Sequence, residues 1–402
     1  MNISFTDDQN SALVLFHNGA CIFLSGGGGT GKTMIVKEMI SRAEAEGRQV
    51  AVAASTGLAA SLIPGGRTIH SLLQVYPKMD FNSVDFAEKI KYIENIDILF
   101  IDEVSMLGKR FIPYLYNCLE AADKKIQLIM IGDFFQLPPV NDDYAFKSPY
   151  WKLLRLEPCI LHQVIRQKDE EMIRNLNRLK YGDPECIRYF MDHSSPSAFD
   201  DHITICAKND SVKRINQMKL EQLKGTEYTY IAQSPEGPSD NDFPGENKLV
   251  IKEGARVMAT VNDKDFINGS LGTITNLQCD SIDVLFDSGK EVRLYRHSFE
   301  SNKVDRYGRR AVVFQFPIRL AYAITIHKSQ GQSFDYVNID GASCFAPGQL
   351  YVAVSRAKSI EHIHFTSPIT KDSIISDASV NQFYRNIEMK AFISGTKKAA
   401  GF

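Results

Sequence analysis

Lys32 and Thr33 end a stretch of backbone that carries almost no side chain, Gly26-Gly27-Gly28-Gly29-Thr30-Gly31. Gly26, Gly31, Lys32 and Thr33 fit G-x-x-x-x-G-K-[ST], the spacing of a phosphate-binding loop. Glycines let such a backbone come close enough to aim successive N–H groups, here those of Gly27, Gly28, Gly29, Thr30 and Gly31, at phosphate oxygens. The Lys32 ammonium adds a full positive charge, and a helix beginning here adds a partial one. The Thr33 hydroxyl can hold Mg²⁺. A merely flexible loop would need neither the Lys-Thr pair nor the flanking signals described below. The chemistry is that of a nucleoside triphosphate site.

Further groups complete that chemistry. Asp102-Glu103 ends an apolar run about seventy residues after Lys32. Carboxylates at the carboxyl end of a strand in an open α/β sheet border the ligand crevice. Asp102 would hold Mg²⁺ and Glu103 would polarise the water attacking the γ-phosphate. Paired acids after a strand are common on surfaces, and the phosphate loop upstream is what favours the functional reading. Gln136, in Gly132-Asp133-Phe134-Phe135-Gln136, stands where an amide could reach the γ-phosphate and report its loss. Gln9 could donate to and accept from an adenine edge at once. Arg166 and Arg356 are candidates whose roles depend on the rest of the chain.

The elements that must position these groups are legible in outline. Residues 21–24 read as a buried strand, and Val36, Met39, Ile40 and Ala43 repeat at helical spacing up to Gly47. Ala12, Leu13 and Phe16 mark an opening helix that Thr6 or Asp7 could cap. Further strands are predicted at 50–54, 97–101 and 126–131, and a helix with Ile173, Leu176 and Leu179 on one face ends at Gly182. A second α/β pattern begins at 204–207. It is interrupted by a Pro/Gly/Ser/Asp-rich stretch at 234–244 and then by alternating residues and hairpin turns at Asn268-Gly269 and Asp287-Ser288-Gly289-Lys290. These predict an inserted small β-barrel or sheet, with Lys303, Arg306, Arg309 and Arg310 at a basic, hairpin-like end. That cluster reads equally as a solvated surface or a nucleic-acid backbone contact. The α/β pattern returns at 314–323, and residues 348–358 read as a helix carrying Arg356. The last thirty-five residues carry little signal, and the terminus is expected to fray. His362 and His364 alternate on an apolar strand, which accounts for them better than a metal does.

The bulk composition bounds the answer. A chain of 402 residues has room for two to three domains, and 44% hydrophobic with 23% charged residues is ordinary for a globular protein. No apolar run approaches a membrane span, and no signal peptide fits before the first helix. Seven cysteines without a C-x-x-C pair suggest reduced thiols in a cytosolic compartment. With a formal charge of −2, a nucleic-acid partner would have to be held by a local groove.

Taken together, the segments 5–9, 26–33, 54–60, 68–71, 102–106, 132–139, 164–167, 325–330 and 351–358 resemble superfamily 1 helicases of the 5′→3′ branch. The resemblance is nearest to the petite-integration-frequency (Pif) family, with RecD-like enzymes next, and it spans residues 5 to about 366. It implies that Gln9 reads adenine, that Lys32 and Thr33 bind phosphate and Mg²⁺, and that Asp102 and Glu103 are metal ligand and catalytic acid. It further implies that Gln136 senses the γ-phosphate, that Arg166 and Arg356 enter the ATP site with Arg356 as arginine finger, and that Gly331 borders the nucleotide. Thr56, Gly57, His70, Ser71, Thr325, His327 and Lys328 match positions lining a single-strand channel, although His327 could also serve the ATP side. Gly28 stands where the family often has alanine, and Ser333 where threonine is usual. Neither change removes a group the mechanism needs.

The resemblance implies two tandem RecA-like P-loop domains, residues 1–66 with 92–163 and residues 164–235 with 311–402. It also implies a wedge insertion at 67–91, with Tyr76 or Phe81 as stacking candidates, and an SH3-like β insertion at 236–310. It implies an ATP- and Mg²⁺-dependent DNA helicase that translocates 5′→3′ on single strands and unwinds forked or tailed duplex, with G-quadruplexes and RNA–DNA hybrids as further substrates. Replication, recombination, repair and telomere maintenance are the family's settings. A compact cytoplasmic bacterial or phage enzyme, nucleoid-associated and monomeric, is expected. The alternatives are a strand-stimulated ATPase that separates no strands and an ATP switch controlling a partner.

Overall fold

The computed structural model describes residues 5–55, 67–73, 75, 91, 93–167, 169–200, 202–234, 243, 245–304 and 310–399; at 300–304, 310–311 and 390–399 it describes the backbone alone. Thr56, Gly57, Tyr76, Phe81, Arg306 and Arg309 lie outside the described residues, as does most of the 67–91 segment. The chain forms two compact units, residues 1–198 with 329–402, and residues 199–328.

The first unit opens on helix α1 (Asp7–His17), which begins where the sequence places a cap. Thr6 Oγ1 accepts the Gln9 backbone N–H and Gln9 Oε1 accepts the Thr6 N–H, a reciprocal capping box. Strand β1 (Ile22–Gly26) leads into the glycine loop and helix α2 (Lys32–Ala45). Strands β2 (Val50–Ala54), β3 (Arg67–Thr68), β4 (Ile98–Asp102), β5 (Gln127–Ile131) and β6 (Glu157–Leu161) complete a parallel sheet. Its order among the described residues is β3-β2-β4-β5-β1-β6, with Ile22 facing Ile129 on one side and Glu157 on the other. Because these strands run the same way, the glycine loop after β1, Asp102 at the end of β4 and Gly132-Asp133 after β5 all arrive at one edge of the sheet. Sheet residues Ile22, Leu24, Phe100, Ile129 and Ile131 pack with Leu13 and Phe16 of α1 and Ile35 and Met39 of α2 in one core.

Helix α3 (Phe111–Glu120) lies between β4 and β5 in the chain; helices α4 (Glu170–Tyr181) and α5 (Cys186–His193) follow β6. In α4 the buried face is Met172, Asn175, Leu176 and Leu179, so Ile173 lies beside that face and Met172 takes its expected place. Gly182 ends α4 in the left-handed region.

The second unit holds helix α6 (Asn209–Gln222) and, around it in the chain, strand β7 (Thr204–Cys206). Next come the antiparallel pair β8 (Tyr228–Ile231) and β9 (Lys248–Ile251), then β10 (Arg256–Ala259), β11 (Leu271–Leu277), β12 (Ile282–Phe286) and β13 (Glu291–Leu294). A ribbon of β14 (His297–Val304) and β15 (Arg310–Gln315) follows, then β16 (Ile318–Leu320) and β17 (Ala323–Thr325). The sheet order β13-β12-β11-β10-β16 is the β insertion that the alternation predicts, closed over Ile274, Val284, Phe286 and Phe316. Strands β17 and β7 pair in parallel.

The chain re-enters the first unit at Ser329 with β18 (Val337–Asp340), helix α7 (Gln349–Val354), β19 (Ile363–Ser367) and helix α8 (Ala378–Ala399). Helix α8 begins within the stretch that carries little sequence signal, and the last residues, 400–402, lie outside the described residues. Phe383 of α8 stacks on Phe146 with ring centroids 4.4 Å apart and meets Phe134, Phe23 and Trp151 edge-on. Helix α8 is thereby built into the aromatic core behind β1. Among the described residues, no helix is long and apolar enough to cross a membrane, and the cysteines form no disulfide.

Phe134 is fully buried at the centre of that cluster. Phe134→Ala should cost about 3–5 kcal/mol of unfolding free energy. Trp151, the only tryptophan, stands 5.8 Å from the Phe134 ring and gives a local fluorescence signal for urea unfolding. A midpoint unchanged from wild type would mean that the cluster does not hold the unit together.

Candidate nucleotide site

The glycine loop is shaped by close approach from every side. Gly29 and Gly31 have φ of +82° and +85°, values that side-chain-bearing residues rarely adopt. A β-carbon on Gly29 would fall 2.5 Å from Arg166 Cβ, and one on Gly31 would fall 2.7 Å from Gln9 Nε2. On Gly28 it would lie 3.3 Å from Ser355 Oγ and 3.6 Å from Arg356 Nη2. Segments 165–167 and 351–356 therefore rest directly on the loop. Ile165 and Arg166 donate their backbone N–H groups to Gly29 O at 2.8 and 3.1 Å.

The cations gather there. Lys32 Nζ donates to Gly26 O at 2.7 Å and to Gly27 O at 3.0 Å. Burial holds its ammonium below the usual lysine value, against the pull of the Asp133, Glu103 and Asp102 carboxylates. Arg356 lies just past the end of α7, which stops at Val354, rather than within the helix. Its guanidinium donates to Val352 O, Gln332 O and Ser355 Oγ at 2.9, 3.1 and 2.8 Å. Burial, and then the neighbouring Arg166, push Arg356 down to about 10. Arg166 Nη1 donates to Ser355 O at 3.1 Å, and burial lowers this guanidinium as well. Three cations facing a loop whose N–H groups and helix terminus are also positive make a site that favours a polyanion.

The acids stand opposite. Glu103 has φ +54°, a left-handed conformation that is strained for a residue with a β-carbon. The strained turn carries two side-chain hydrogen bonds: Asp102 Oδ1 accepts the Glu103 N–H at 2.7 Å and Ser55 Oγ donates to Glu103 O at 2.8 Å. Burial and the adjacent Glu103 carboxylate push the Asp102 carboxyl above its ordinary range, so a nearby cation would be welcome. Thr33 and Asp102 offer a hydroxyl and a carboxylate, an oxygen-only donor set that suits Mg²⁺. Gln330 Nε2 joins Glu103 Oε2 at 2.8 Å to Gln136 Oε1 at 3.2 Å.

Several of these partners escape sequence reasoning. Tyr351 Oη accepts the Gly28 N–H at 3.1 Å and donates to Asp133 Oδ2 at 3.3 Å. Tyr384 of α8 shares a 2.7 Å hydrogen bond with Ser25 Oγ and accepts the Phe134 N–H at 3.0 Å. Gln167 Nε2 donates to Ala357 O at 3.0 Å. Asp133 and Tyr351 lie within runs that the sequence already singles out; Tyr384 has no signal of its own. The Gln9 amide is buried and engaged, with Oε1 in the cap of α1 and Nε2 on Thr30 O at 3.2 Å, so it ties α1 to the glycine loop.

The expected strand-binding residues belong to different units. His70 and Ser71 lie on the one-turn helix Ile69–Leu72 of the first unit, where the His70 ring stands 5.1 Å from Phe111. Thr325, His327 and Lys328 belong to the second unit, where Thr325 Oγ1 accepts the Lys328 N–H at 3.3 Å. Gly331 is left-handed, with φ +79°, immediately after Gln330. His364 Nδ1 bonds Ser195 O at 2.9 Å, and among the described residues no group of three or more His, Cys, Asp or Glu could hold a metal ion.

Comparison with known proteins gives the family. The family description PIF1-like helicase matches residues 5–177, and UvrD-like helicase C-terminal domain matches residues 320–359. The ATP-dependent DNA helicase Pif1 of Bdellovibrio bacteriovorus is 32% identical, over 96% of this chain and 93% of its own. That of Campylobacter jejuni is 29% identical, over 84% and 86%. Among solved structures, Pif1 helicase from Candida albicans superposes with a TM-score of 0.82 at 28% identity, covering 96% of this chain and all of its own. Bacteroides Pif1 in complex with ADP-AlF3 and ssDNA has a TM-score of 0.78 at 28% identity, covering 96% and 98%. The fold is that of the RecA-like helicases, and the chain belongs to the PIF1-like helicase family.

Proposed function

We propose that this chain is an ATP-driven motor that tracks 5′→3′ along single-stranded DNA and unwinds forked or tailed duplex. The observation that carries the reading is the meeting of Lys32, Arg166 and Arg356 at one glycine loop, with Glu103 and Gln136 joined through Gln330. An ATP switch could borrow its arginine from a partner. Here the second arginine belongs to the same chain, more than three hundred residues after Lys32, which favours a motor.

The residues divide the work as follows. The loop amides, Lys32 and Arg166 bind the phosphates, and Gly331 and Gln9 border the nucleotide. Thr33 and Asp102 would hold Mg²⁺, which neutralises charge on the β- and γ-phosphates when bound. Glu103 takes the proton of the attacking water, Gln136 reports the γ-phosphate, and Arg356 stabilises charge on the transferring group. RecA-like lobes at 1–66 with 92–163 and at 164–235 with 311–402 close on ATP and relax after hydrolysis. Unequal grip on the strand, by Thr56, Gly57, His70 and Ser71 in one lobe and Thr325, His327 and Lys328 in the other, turns that cycle into translocation. The insertion at 67–91 acts as the wedge, and the β insertion at 236–310 guides nucleic acid. Duplex stacking averages ~1.4 kcal/mol per step, so a closure worth a few kcal/mol suffices to advance past a pair. The enzyme acts as a monomer among the DNA of a bacterial or phage cytoplasm, with G-quadruplexes as a further substrate.

Two measurements test this reading. A duplex with a 5′ single-stranded tail should be unwound in ATP while its 3′-tailed counterpart stays largely intact, and ATP hydrolysis should rise on adding single-stranded DNA. Hydrolysis that ignores DNA, with neither duplex opened, would favour the switch. Glu103→Gln should bind ATP with near-normal affinity yet lose turnover by about 10²–10⁴-fold, because the proton acceptor is gone while Asp102 and Thr33 remain. A mutant unable to bind ATP would instead make Glu103 a metal ligand.

A further inference from the structure

Gln330 stands between the two residues assigned to the water side of the phosphate. It follows the one-turn helix Ile326–Ser329, two residues after Lys328, and is 6% exposed. One amide nitrogen reaches both Glu103 Oε2 and Gln136 Oε1. The other end of the amide is different. Gln330 Oε1 is buried and has no hydrogen-bond partner among the described residues. Leaving a buried acceptor unmade costs about 1–3 kcal/mol, so a residue kept for packing alone would be better apolar. The position therefore asks for a donor, and it asks beside the carboxylate assigned to water activation.

Resting on the reading of the site as an ATP hydrolase, we infer that Gln330 is a third member of the hydrolytic group. Its N–H groups hold the Glu103 carboxylate and the Gln136 amide in register, and its carbonyl accepts one hydrogen of the attacking water. The water oxygen forms the new bond to the γ-phosphorus while the bond from that phosphorus to the β,γ-bridging oxygen breaks. Glu103 takes one water proton, the other stays on the released phosphate, and ADP leaves with the electron pair of the broken bond. Gln330 thus orients the nucleophile without exchanging a proton. Its place two residues after Lys328 also gives the strand-contacting segment a short covalent path to the attacking water, through Ser329.

The test uses the full chain with Gln330→Ala and the nearly isosteric Gln330→Met. In saturating single-stranded DNA, both should lower kcat by about 10²-fold. KM for ATP and the affinity for fluorescent ADP should stay within about threefold of wild type. Affinity for ADP in the presence of aluminium fluoride, which mimics the transferring phosphoryl group, should fall roughly in step with kcat, by about 10²-fold. A kcat within threefold of wild type in either variant would overturn the inference. So would parallel losses of ADP affinity and kcat, which a merely structural residue would give. Failure of the wild-type chain to hydrolyse ATP would instead sink the site assignment itself, so the two failures are distinguishable.

Discussion

The structure depends on a loop that has no room for side chains. Phosphate binding by backbone N–H groups requires the loop at 26–31 to be bare on its ligand side, and the protein also packs it from behind. Arg166 leans on Gly29, Gln9 on Gly31, and Ser355 with Arg356 on Gly28. These contacts explain why the run is glycine even at positions that the phosphate-loop pattern leaves open. The alanine frequent in related enzymes at Gly28 would here have to push Ser355 aside by a few tenths of an ångström.

Charge is the second consequence. Lys32, Arg166 and Arg356 are partly or wholly removed from water around one loop, and burial lowers all three below their ordinary values. Such an arrangement opposes folding unless an anion compensates it, so the site spends stability on readiness to bind. The carboxylates of Asp102, Glu103 and Asp133 offset part of the cost. Tyr351 and Tyr384 flank Asp133, and burial keeps both phenols protonated, so they remain donors to its carboxylate.

What could be read from the sequence follows from how local each signal is. The glycine loop, Asp102-Glu103 and the Thr6 cap are each written in a few consecutive residues, and their chemistry follows from residue type and spacing alone. The alternation at 282–286 likewise announced an antiparallel sheet. Arg166 and Arg356 could be given roles only through family resemblance, because what they touch is set by tertiary packing. Tyr384 was invisible. It follows Phe383 directly, and the two adjacent rings serve different ends, one filling the aromatic core and the other hydrogen-bonding Ser25. No periodicity marks such a pair. Gln330 lay within a recognised segment, but its contacts with Glu103 and Gln136 span about two hundred residues of sequence and had no local trace. Gln9 has a tertiary contact that the sequence does not show, its amide nitrogen on Thr30 O, which ties α1 to the loop.

In the proposed function, the arginine after α7 completes the phosphate site built on β1, and one substitution tests this. In strand-stimulated ATP hydrolysis, Arg356→Ala should lose ~10³–10⁵ in rate, the range found for arginine fingers. ATP and DNA affinities should remain within about tenfold, roughly 1.4 kcal/mol. Arg356→Lys should restore little, because an ammonium cannot reproduce the planar fork that bonds Val352, Gln332 and Ser355. Hydrolysis by Arg356→Ala at the wild-type, strand-stimulated rate would contradict this role, since the site would then be complete without Arg356.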